Sequence, residues 1–468
     1  MRASWFDKLW DSIADRGRDL LRLQGDAGQP SELITLCHRL LDGVGEASGT
    51  ALTREVQHGI EALDDAGRTI FLELLAAQFQ PDRDSILKEA EAYRVDEDQL
   101  AAYLRLNAVI ESPCQELLRR INRAPHATAM LVRLRAHLLQ QLREQPQLKA
   151  LDADFRHLFL SWFNRGFLQM HRIDWDSPAS VLEKLIAYEA VHAIQNWDDL
   201  RRRLAADRRC FAFFHPALPG EPLIFVEVAL TRGLPSAAPP LLDLDAPVLD
   251  PKKADTAIFF SINNCQDGLR GISFGNFLIK QVVNELVGEL PAIGRFATLS
   301  PIPRFRQVLE GINQEKNPID RAQVAAVLAD QAEKLRAASG EEDVVQALMS
   351  LLAGDLVEYK ELLEVPLTRL ALVYLAWSKR KGLAYDPVSA FHFANGARLE
   401  RINPFADLSR ERLRGSYGVM VNYLYDLDAV EKNHEHYMSG GEATLSRQLA
   451  RDLKSLAAQV SVQNRRLR

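Results

Sequence analysis

Cysteine is scarce in this 468-residue chain, and long apolar runs are absent from it. The four cysteines, Cys37, Cys114, Cys210 and Cys265, lie far apart and form no C-x-x-C pair. This spacing excludes the usual zinc motifs and a disulfide framework, so a reducing cytoplasm is the simplest setting. Because no stretch reaches 18 consecutive apolar residues, the sequence predicts no membrane-spanning helix.

An excess of basic residues is also missing. Lysine and arginine number 57 against 63 aspartate and glutamate, which gives a net charge of −6 that is spread along the chain. Proteins that bind nucleic acids usually carry a basic face, so nucleic acid is not predicted as a partner. The N-terminal segment carries acidic residues and lacks a secretory apolar core, which again favours the cytoplasm.

The pattern of apolar residues divides the chain into two parts. Up to about residue 170, leucine and alanine recur every three or four positions and prolines separate the runs, as in a helical bundle. Beyond it, runs rich in Phe, Ile and Val at 210–215, 223–230, 256–263 and 296–300 predict strands, and helical patterns return after about 304. We predict an α+β protein, with an all-helical domain over 1–172 and a mixed α/β domain with helical insertions over 173–468.

A glycine-bearing loop between a predicted strand and a predicted helix is the first candidate site. Such a loop presents unpaired backbone N–H groups and the positive end of a helix dipole, which suits a phosphate. It lacks the dinucleotide fingerprint G-x-G-x-x-G and P-loop spacing, so neither a nicotinamide cofactor nor a nucleoside triphosphate is implied. The alternative is a turn that only packs the helix. The loop consists of Arg270, Gly271, Ile272, Ser273, Phe274, Gly275 and Asn276.

Two further side chains could carry chemistry. Ser300 opens a Ser-Pro-Ile-Pro turn whose two prolines fix the backbone, so its hydroxyl is presented from a rigid position. The alternative is that Ser300 caps the following helix. His392 lies near the end of a short helical run that Asn395 and Gly396 terminate, and an imidazole can deliver a proton near neutral pH. A core histidine without chemistry is the alternative there.

Three other features are interpreted as structural. Cys265 lies beside the loop but has no base next to it in sequence, so a catalytic thiol is not favoured. His434 and His436 diverge on a helix and have no third ligand, so no metal site is predicted. The arginines at 201–203 and 208–209 are predicted to form the solvated end of a helix.

Five blocks of the sequence, in order, resemble the malonyl-CoA decarboxylase family. They are WFNRGFLQMHRIDWDSPASVLEKLIAYEAVHAI from Trp162, FFSINNCQDGLRGISFGNFLIK from Phe259, LSPIPRF from Leu299, FHFANGARLERIN from Phe391 and SYGVMVNYLYDL from Ser416. The resemblance implies a catalytic domain of the GNAT acetyltransferase type. The loop is also similar to the Gln/Arg-x-x-Gly-x-Gly/Ala pattern of that class, with a serine in place of its first glycine. It therefore implies that the loop holds the pyrophosphate of coenzyme A.

The resemblance also implies the site residues and the reaction. The family's catalytic serine is that of Ser-Pro-Ile-Pro, hence Ser300, and its catalytic histidine is that of FHxxNGA, hence His392. The first serine of FFSI, Ser261, matches a further position of importance. The implied enzyme is a carboxy-lyase that converts malonyl-CoA into acetyl-CoA and carbon dioxide through a thioester enolate. We expect Ser300 to orient the malonyl group and His392 to protonate the enolate, without a metal, biotin or redox cofactor.

Two rival functions remain open. An acyl-CoA-dependent N- or O-acyltransferase of the GNAT class would bind its donor with the same loop, but it also needs an acceptor and a base. A non-enzymic helical assembly protein with a vestigial acyl-CoA site would bind without turnover. The resemblance further implies a homo-oligomer, a tetramer, to which the helical domain contributes subunit contacts. It also implies a role in malonate or fatty acid metabolism.

Overall fold

The computed structural model describes residues 5–21, 29–42, 45–272 and 277–466. In these ranges the α-helices are α1 (Trp5–Leu21), α2 (Pro30–Leu41), α3 (Glu46–Ala62), α4 (Asp65–Gln78), α5 (Arg83–Val95), α6 (Gln99–Ile110), α7 (Pro113–Ile121), α8 (Ala127–Gln141), α9 (Lys149–Trp162), α10 (Ala179–Tyr188), α11 (Trp197–Arg203), α12 (Pro239–Leu242), α13 (Phe277–Glu289), α14 (Phe305–Glu310), α15 (Arg321–Val327), α16 (Ala332–Ser339), α17 (Val344–Ala353), α18 (Lys360–Trp377), α19 (Pro387–Ala394), α20 (Arg410–Ser416), α21 (Val430–Gly440) and α22 (Arg447–Arg466). The strands are β1 (Gln169–Ile173), β2 (Arg208–Phe214), β3 (Pro222–Thr231), β4 (Thr256–Asn264), β5 (Arg295–Thr298), β6 (Ser300–Pro301), β7 (Lys379–Arg380), β8 (Leu383–Ala384), β9 (Arg398–Asn403) and β10 (Met420–Tyr425). Short 3-10 helices span Pro146–Leu148, Arg165–Phe167, Pro251–Lys253 and Asp267–Leu269.

The chain forms two compact units. The first comprises Met1–His171, Phe213–Ile224 and Asn264–Gly275, and the second comprises Arg172–Ala212, Phe225–Asn263 and Asn276–Arg468. Helices α1 to α9 belong to the first unit, and the strands that carry the candidate site belong to the second. The predicted fold class, a helical region followed by a mixed α/β region, is confirmed. The domain boundary after residue 172 stays a prediction. None of the described helices combines the length and the apolar character needed to span a bilayer.

Four helices of the first unit begin at a side chain that caps them. Asp64, Asp82 and Asp98 each accept a hydrogen bond from a backbone N–H group in the first turn of α4, α5 and α6. Ser112 does the same for α7, which begins at Pro113. Each cap satisfies an N–H group that a helix start leaves unpaired and is worth about 1 kcal/mol.

Helices α5 and α6 pack against each other but contribute little to the core of the first unit. α5 has no buried residue, and α6 buries only Ala102. Their large apolar side chains are mostly exposed, and Leu100 reaches 68%. Exposed apolar side chains concentrated on one pair of elements mark an interaction surface. We call this set the hairpin face: Leu87, Tyr93, Val95, Leu100, Tyr103, Leu104 and Ile110.

An eight-stranded sheet runs in the order β1-β2-β3-β4-β5-β10-β6, and β9 pairs with β10. Strands β4 and β5 are parallel, whereas β10 runs antiparallel to β5, β6 and β9. β6 continues the line of β5, because Leu424 lies opposite Ala297 and Val421 lies opposite Ser300. Side chains alternate between the two faces of a strand, so Thr298 and Ser300 share one face.

The opposite face of the sheet carries an apolar core. Its strand residues come from β3, β4, β5 and β10, and the turn at 238–241 and Ala406 cover them. One face of the sheet therefore packs against apolar side chains, whereas the other face carries polar side chains. The core residues are Ala229, Ala238, Leu241, Ile258, Phe260, Ala297, Leu299, Ala406 and Met420.

Four of the five arginines that were predicted to be solvated are buried instead, which makes that prediction wrong. Arg203 donates to Asp199 and Glu227 at 3.0 and 2.8 Å. Arg202 donates to Asp207 at 2.7 Å. A guanidinium can be buried when its fixed fork of N–H donors meets carboxylates, and Glu227 comes from a strand that is remote in sequence. The buried residues are Arg202, Arg203, Arg208 and Arg209.

Gly396 provides a test of the packing behind α19. Its φ is +78°, and a Cβ atom there would lie 2.0 Å from the carbonyl oxygen of Val430. Gly396→Ala should lower the free energy of unfolding by about 3 kcal/mol, because a left-handed penalty adds to overpacking. Gly340 also has φ +78° but open space around it, so Gly340→Ala should cost only about 1 kcal/mol. Urea denaturation measures both variants, and equal losses would contradict the steric argument.

Candidate active site

Helix α19 brings His392 to the polar face of the sheet. Asp386 accepts hydrogen bonds from two backbone N–H groups of the first turn, and Pro387 occupies the first helical position. The helix stops before Gly396, whose positive φ turns the chain away, as the sequence predicts. The imidazole of His392 stacks on the ring of Tyr423, with 4.5 Å between ring centroids. The histidine is therefore held by a short capped helix and an aromatic ring.

Ser300 contacts His392. Its Oγ lies 3.1 Å from His392 Nε2 and 2.8 Å from Thr298 Oγ1, and the side chain is 6% exposed. The two residues are 92 positions apart in sequence. Ser300 caps no helix, because α14 begins only at Phe305 and its N-cap residue is Arg304. The structure thus brings together the two side chains that the sequence singled out.

Burial keeps the imidazole of His392 uncharged. The ring is buried, which lowers its pKa from 6.5 to about 3. Its Nδ1 lies 2.7 Å from the hydroxyl of Tyr425. Burial raises the pKa of the Tyr425 hydroxyl well above its ordinary value, so this group stays protonated. The pair therefore consists of a neutral imidazole and a phenol.

The hydrogen-bond partners assign the tautomer of His392. Within the described residues the hydroxyl of Tyr425 bonds only to Nδ1, and a buried donor left without an acceptor costs about 1–3 kcal/mol. Tyr425 therefore donates to Nδ1, which places the ring proton on Nε2, facing Ser300. Ser300 donates in turn to Thr298 Oγ1. The arrangement makes Nε2–H an available acid.

Ser261 lies in a second group of hydrogen bonds. Its hydroxyl donates to Glu189 at 2.7 Å, and Asn263 donates to the same carboxylate at 2.7 Å. Glu189 also accepts the backbone N–H groups of Val191 and His192 at 2.8 Å. No hydrogen bond of the described residues joins Ser261 to Ser300. Ser261 therefore anchors a turn before α11 through a buried carboxylate.

The predicted phosphate loop is described only over residues 270–272, which belong to the first unit. Ser273, Phe274, Gly275 and Asn276 fall outside the described residues. The guanidinium of Arg270 is exposed and pairs with Asp267 at 2.8 Å. Gly271 has a φ of +80°, and Ile272 is buried. The first part of the loop therefore has a glycine where the backbone takes a left-handed turn.

The histidines of α21 have other partners. His434 Nδ1 lies 2.7 Å from the carbonyl oxygen of Ala394, and His436 lies 3.6 Å from Glu442. Across the part of the chain that the structure describes, no group of three or more His, Cys, Asp or Glu side chains could hold a metal ion.

Two residues that hydrogen-bond to Ser300 and His392, namely Thr298 and Tyr425, were not predicted from the sequence. Thr298 stands two residues before Ser300, so strand alternation alone could have placed it on the same face. Tyr425 lies 33 positions beyond His392. Alternation within β10 groups Tyr425 with Tyr423, but no local signal shows that β10 pairs with β5.

Comparison with known proteins gives a consistent result along the chain. The family model described as Malonyl-CoA decarboxylase C-terminal domain matches residues 166–463, and the Malonyl-CoA decarboxylase N-terminal domain matches 79–163. The mitochondrial malonyl-CoA decarboxylase of Mus musculus is 33% identical over 446 residues, which is 92% of this chain and 84% of that protein. That of Anser anser anser is 35% identical over 376 residues, or 78% and 74% of the two chains.

Solved structures agree with the sequence comparisons. The crystal structure of malonyl-CoA decarboxylase from Rhodopseudomonas palustris is similar with a TM-score of 0.80 and 44% identity, over 90% of this chain and 99% of that one. The crystal structure of malonyl-CoA decarboxylase from Agrobacterium vitis is similar with a TM-score of 0.76 and 43% identity, again over 90% of this chain and 99% of that one.

The lowered pKa of His392 predicts a pH-dependent stability. Below about pH 6.5 the unfolded chain binds a proton at this residue, whereas the folded chain does so only near pH 3. Protonation therefore stabilises the unfolded state, and the free energy of unfolding falls as the pH falls. Between pH 7 and pH 5, wild type should lose about 2 kcal/mol more unfolding free energy than His392→Gln. His436→Gln, at an exposed histidine, should behave like wild type. Urea denaturation at both pH values gives the comparison, and parallel losses for wild type and His392→Gln would refute the buried neutral state.

Proposed function

The chain belongs to the malonyl-CoA decarboxylase family, and we propose that it converts malonyl-CoA into acetyl-CoA and carbon dioxide with Ser300 and His392 as its reacting side chains. The family assignment made from the sequence is confirmed, and with it the class of enzyme, a carboxy-lyase. The observation that carries the proposed roles is the 3.1 Å contact between Ser300 Oγ and His392 Nε2.

Breaking the carbon–carbon bond is the first step of the proposed mechanism. The bond's electron pair passes to the thioester carbonyl as carbon dioxide leaves, and this gives an enolate. Overlap is best when the carboxylate stands out of the plane of that carbonyl. When the substrate binds, Ser300 turns its hydroxyl proton from Thr298 to the malonyl group and holds that group in this orientation. A prealigned donor at a developing oxyanion contributes roughly 3–4 kcal/mol.

Protonation of C2 is the second step. His392 donates its Nε2 proton to C2 of the enolate, while Tyr425 passes its hydroxyl proton to Nδ1. The ring therefore never becomes an imidazolate. A thioester enolate is a strong base, so a neutral imidazole suffices as the acid. The phenolate of Tyr425 then takes its proton back from Nδ1 while Nε2 takes a proton from solvent. The starting tautomer is restored, and one proton is consumed for each carbon dioxide released.

The proposal needs no metal, biotin or redox cofactor, because the thioester carbonyl itself accepts the electron pair. The loop at 270–276 is proposed to bind the pyrophosphate of coenzyme A, which is supported by its place between β4 and α13 and by the left-handed Gly271. We propose the cytoplasm, which is supported by the wide spacing of the four cysteines in the sequence and the lack of a C-x-x-C pair. Malonate or fatty acid metabolism is the proposed setting.

A homo-oligomer, a tetramer, is part of the same proposal. The hairpin face supports it, because seven large apolar side chains on α5 and α6 face solvent in the single chain. A second copy that covers this face would remove their apolar surface from water. Basic and acidic side chains on the same pair, such as Arg105 with Glu89 and Asp96, already satisfy one another. Because these charged side chains are already paired, the exposed apolar side chains are the part of the surface that would attract a second copy.

Turnover of malonyl-CoA tests the proposed function. Wild type incubated with malonyl-CoA and no acceptor should release acetyl-CoA and carbon dioxide. His392→Ala should lower kcat by about 10²–10⁴, and Ser300→Ala by about 10²–10³. Tyr425→Phe should lose less, because the imidazole keeps its place against Tyr423. His436→Ala is the matched control and should keep full activity. Near-normal kcat in His392→Ala would remove the assignment, and product formation only with an added amine or alcohol would indicate an acyltransferase.

Sedimentation velocity tests the role of the hairpin face. Leu100→Glu combined with Leu104→Glu should lower the assembly mass, because two charges would be buried in the contact. The variant should keep its helix content by circular dichroism, since both side chains are exposed in the single chain. Lys88→Glu on α5 introduces a charge of the same sign at an exposed polar position and should leave the mass unchanged. An unaltered oligomer in the double variant would exclude the hairpin face.

A further inference from the structure

Arg135 of α8 is a buried arginine that the mechanism above does not use. Its side chain is 2% exposed. Nε donates to Asp152 at 2.9 Å, and one terminal nitrogen donates to the carbonyl oxygens of Gly268 and Arg270 at 2.6 and 3.0 Å. All of these residues belong to the first unit. Arg135 therefore binds the backbone at the start of the predicted coenzyme A loop.

Gly268 lets the loop come close enough for these bonds. A Cβ atom at this position would lie 1.9 Å from the carbonyl oxygen of Val132, on the same helix as Arg135. The backbone of the 3-10 turn Asp267–Leu269 therefore rests directly on the backbone of α8. A buried arginine that holds two carbonyl groups across such a contact leaves the turn little freedom.

The bond to Arg270 fixes the direction of the next N–H group. In a trans peptide the C=O and N–H groups point in opposite directions. Because the carbonyl of Arg270 points at Arg135, the N–H of Gly271 points away from α8. Within the described residues the N–H groups of Leu269, Arg270 and Ile272 donate to backbone carbonyls. The N–H of Gly271 has no such partner among those residues.

We propose that Arg135 is a positioning residue for coenzyme A, which acts by presenting the N–H of Gly271 to the pyrophosphate. The inference rests on the proposed function and names a residue of the helical unit that serves it. Arg135 touches no substrate in this account. It fixes the peptide between Arg270 and Gly271, and the positive φ of Gly271 is a conformation that glycine adopts without strain.

The test compares a full substrate with a truncated one. Arg135→Met should raise KM for malonyl-CoA and the Kd of free coenzyme A by about 10-fold, the value of one hydrogen bond to a charged group. It should leave kcat unchanged. With malonyl-pantetheine, which lacks the pyrophosphate, kcat/KM should match wild type, and calorimetry should give equal Kd values for pantetheine. Arg135→Lys, which keeps a buried donor, should recover part of the loss.

Arg133→Met is the matched control, since Arg133 is an exposed arginine two residues away on α8 that pairs with Glu61. It should bind coenzyme A like wild type. Equal losses with malonyl-CoA and malonyl-pantetheine would overturn the proposal in favour of a purely structural arginine, as would an unchanged Kd for coenzyme A. If Arg135→Met does not fold, Arg135→Lys must show the same substrate split at smaller size. A wild type that binds coenzyme A without turnover would reject the proposed function and leave this inference standing.

Discussion

A row of buried hydroxyl and imidazole groups, from Tyr425 through His392 and Ser300 to Thr298, is the constraint on which the proposed reaction centre depends. Each member donates to the next, so the direction of the proton at one end sets it for all. Such a row is stable only where water cannot compete for the same donors. Four elements build it: the paired strands β5 and β10 supply its ends, β6 supplies Ser300, and α19 supplies the histidine. Loss of the register between these strands would remove the row without changing any of its members.

Glycines fix the two segments that the proposed chemistry uses. Gly268 allows the turn before the predicted phosphate loop to rest on the carbonyl of Val132, and Gly396 allows the turn after His392 to rest on the carbonyl of Val430. In both places a side chain would push the segment away from the backbone that supports it. Rigid backbone contact of this kind orients a site more firmly than flexible side chains could. The same device thus serves a loop of the first unit and a helix of the second.

Local patterns in the sequence predict much of this protein. The Asn-Gly pair behind His392 predicts the end of α19, and the runs of Phe, Ile and Val predict β2 to β5. Long-range pairing is different, because nothing near Tyr425 shows that its strand lies beside Thr298. The buried arginines also could not be predicted from local sequence, because some of their partners are distant in the chain. Arg203 looks like one of a solvated cluster until Glu227 of β3 is brought against it, and burial then raises the pKa of Glu227 to about 8 while Arg203 opposes the shift. The roles proposed for Ser300 and His392 depend on the family resemblance, since a serine in a turn and a single histidine do not by themselves indicate catalysis.

Exclusion of water around His392 also bears on how the leaving group departs. In the proposed reaction, carbon dioxide would be set free beside Ser300, Tyr423 and Tyr425, all of them buried, where little water would be at hand to hydrate it. It would leave as a small uncharged gas, and bicarbonate would form only in open water. Under this proposal the site would need no exit route for an anion. Departure of the gas before the enolate is protonated would also keep its recapture by the carbanion rare.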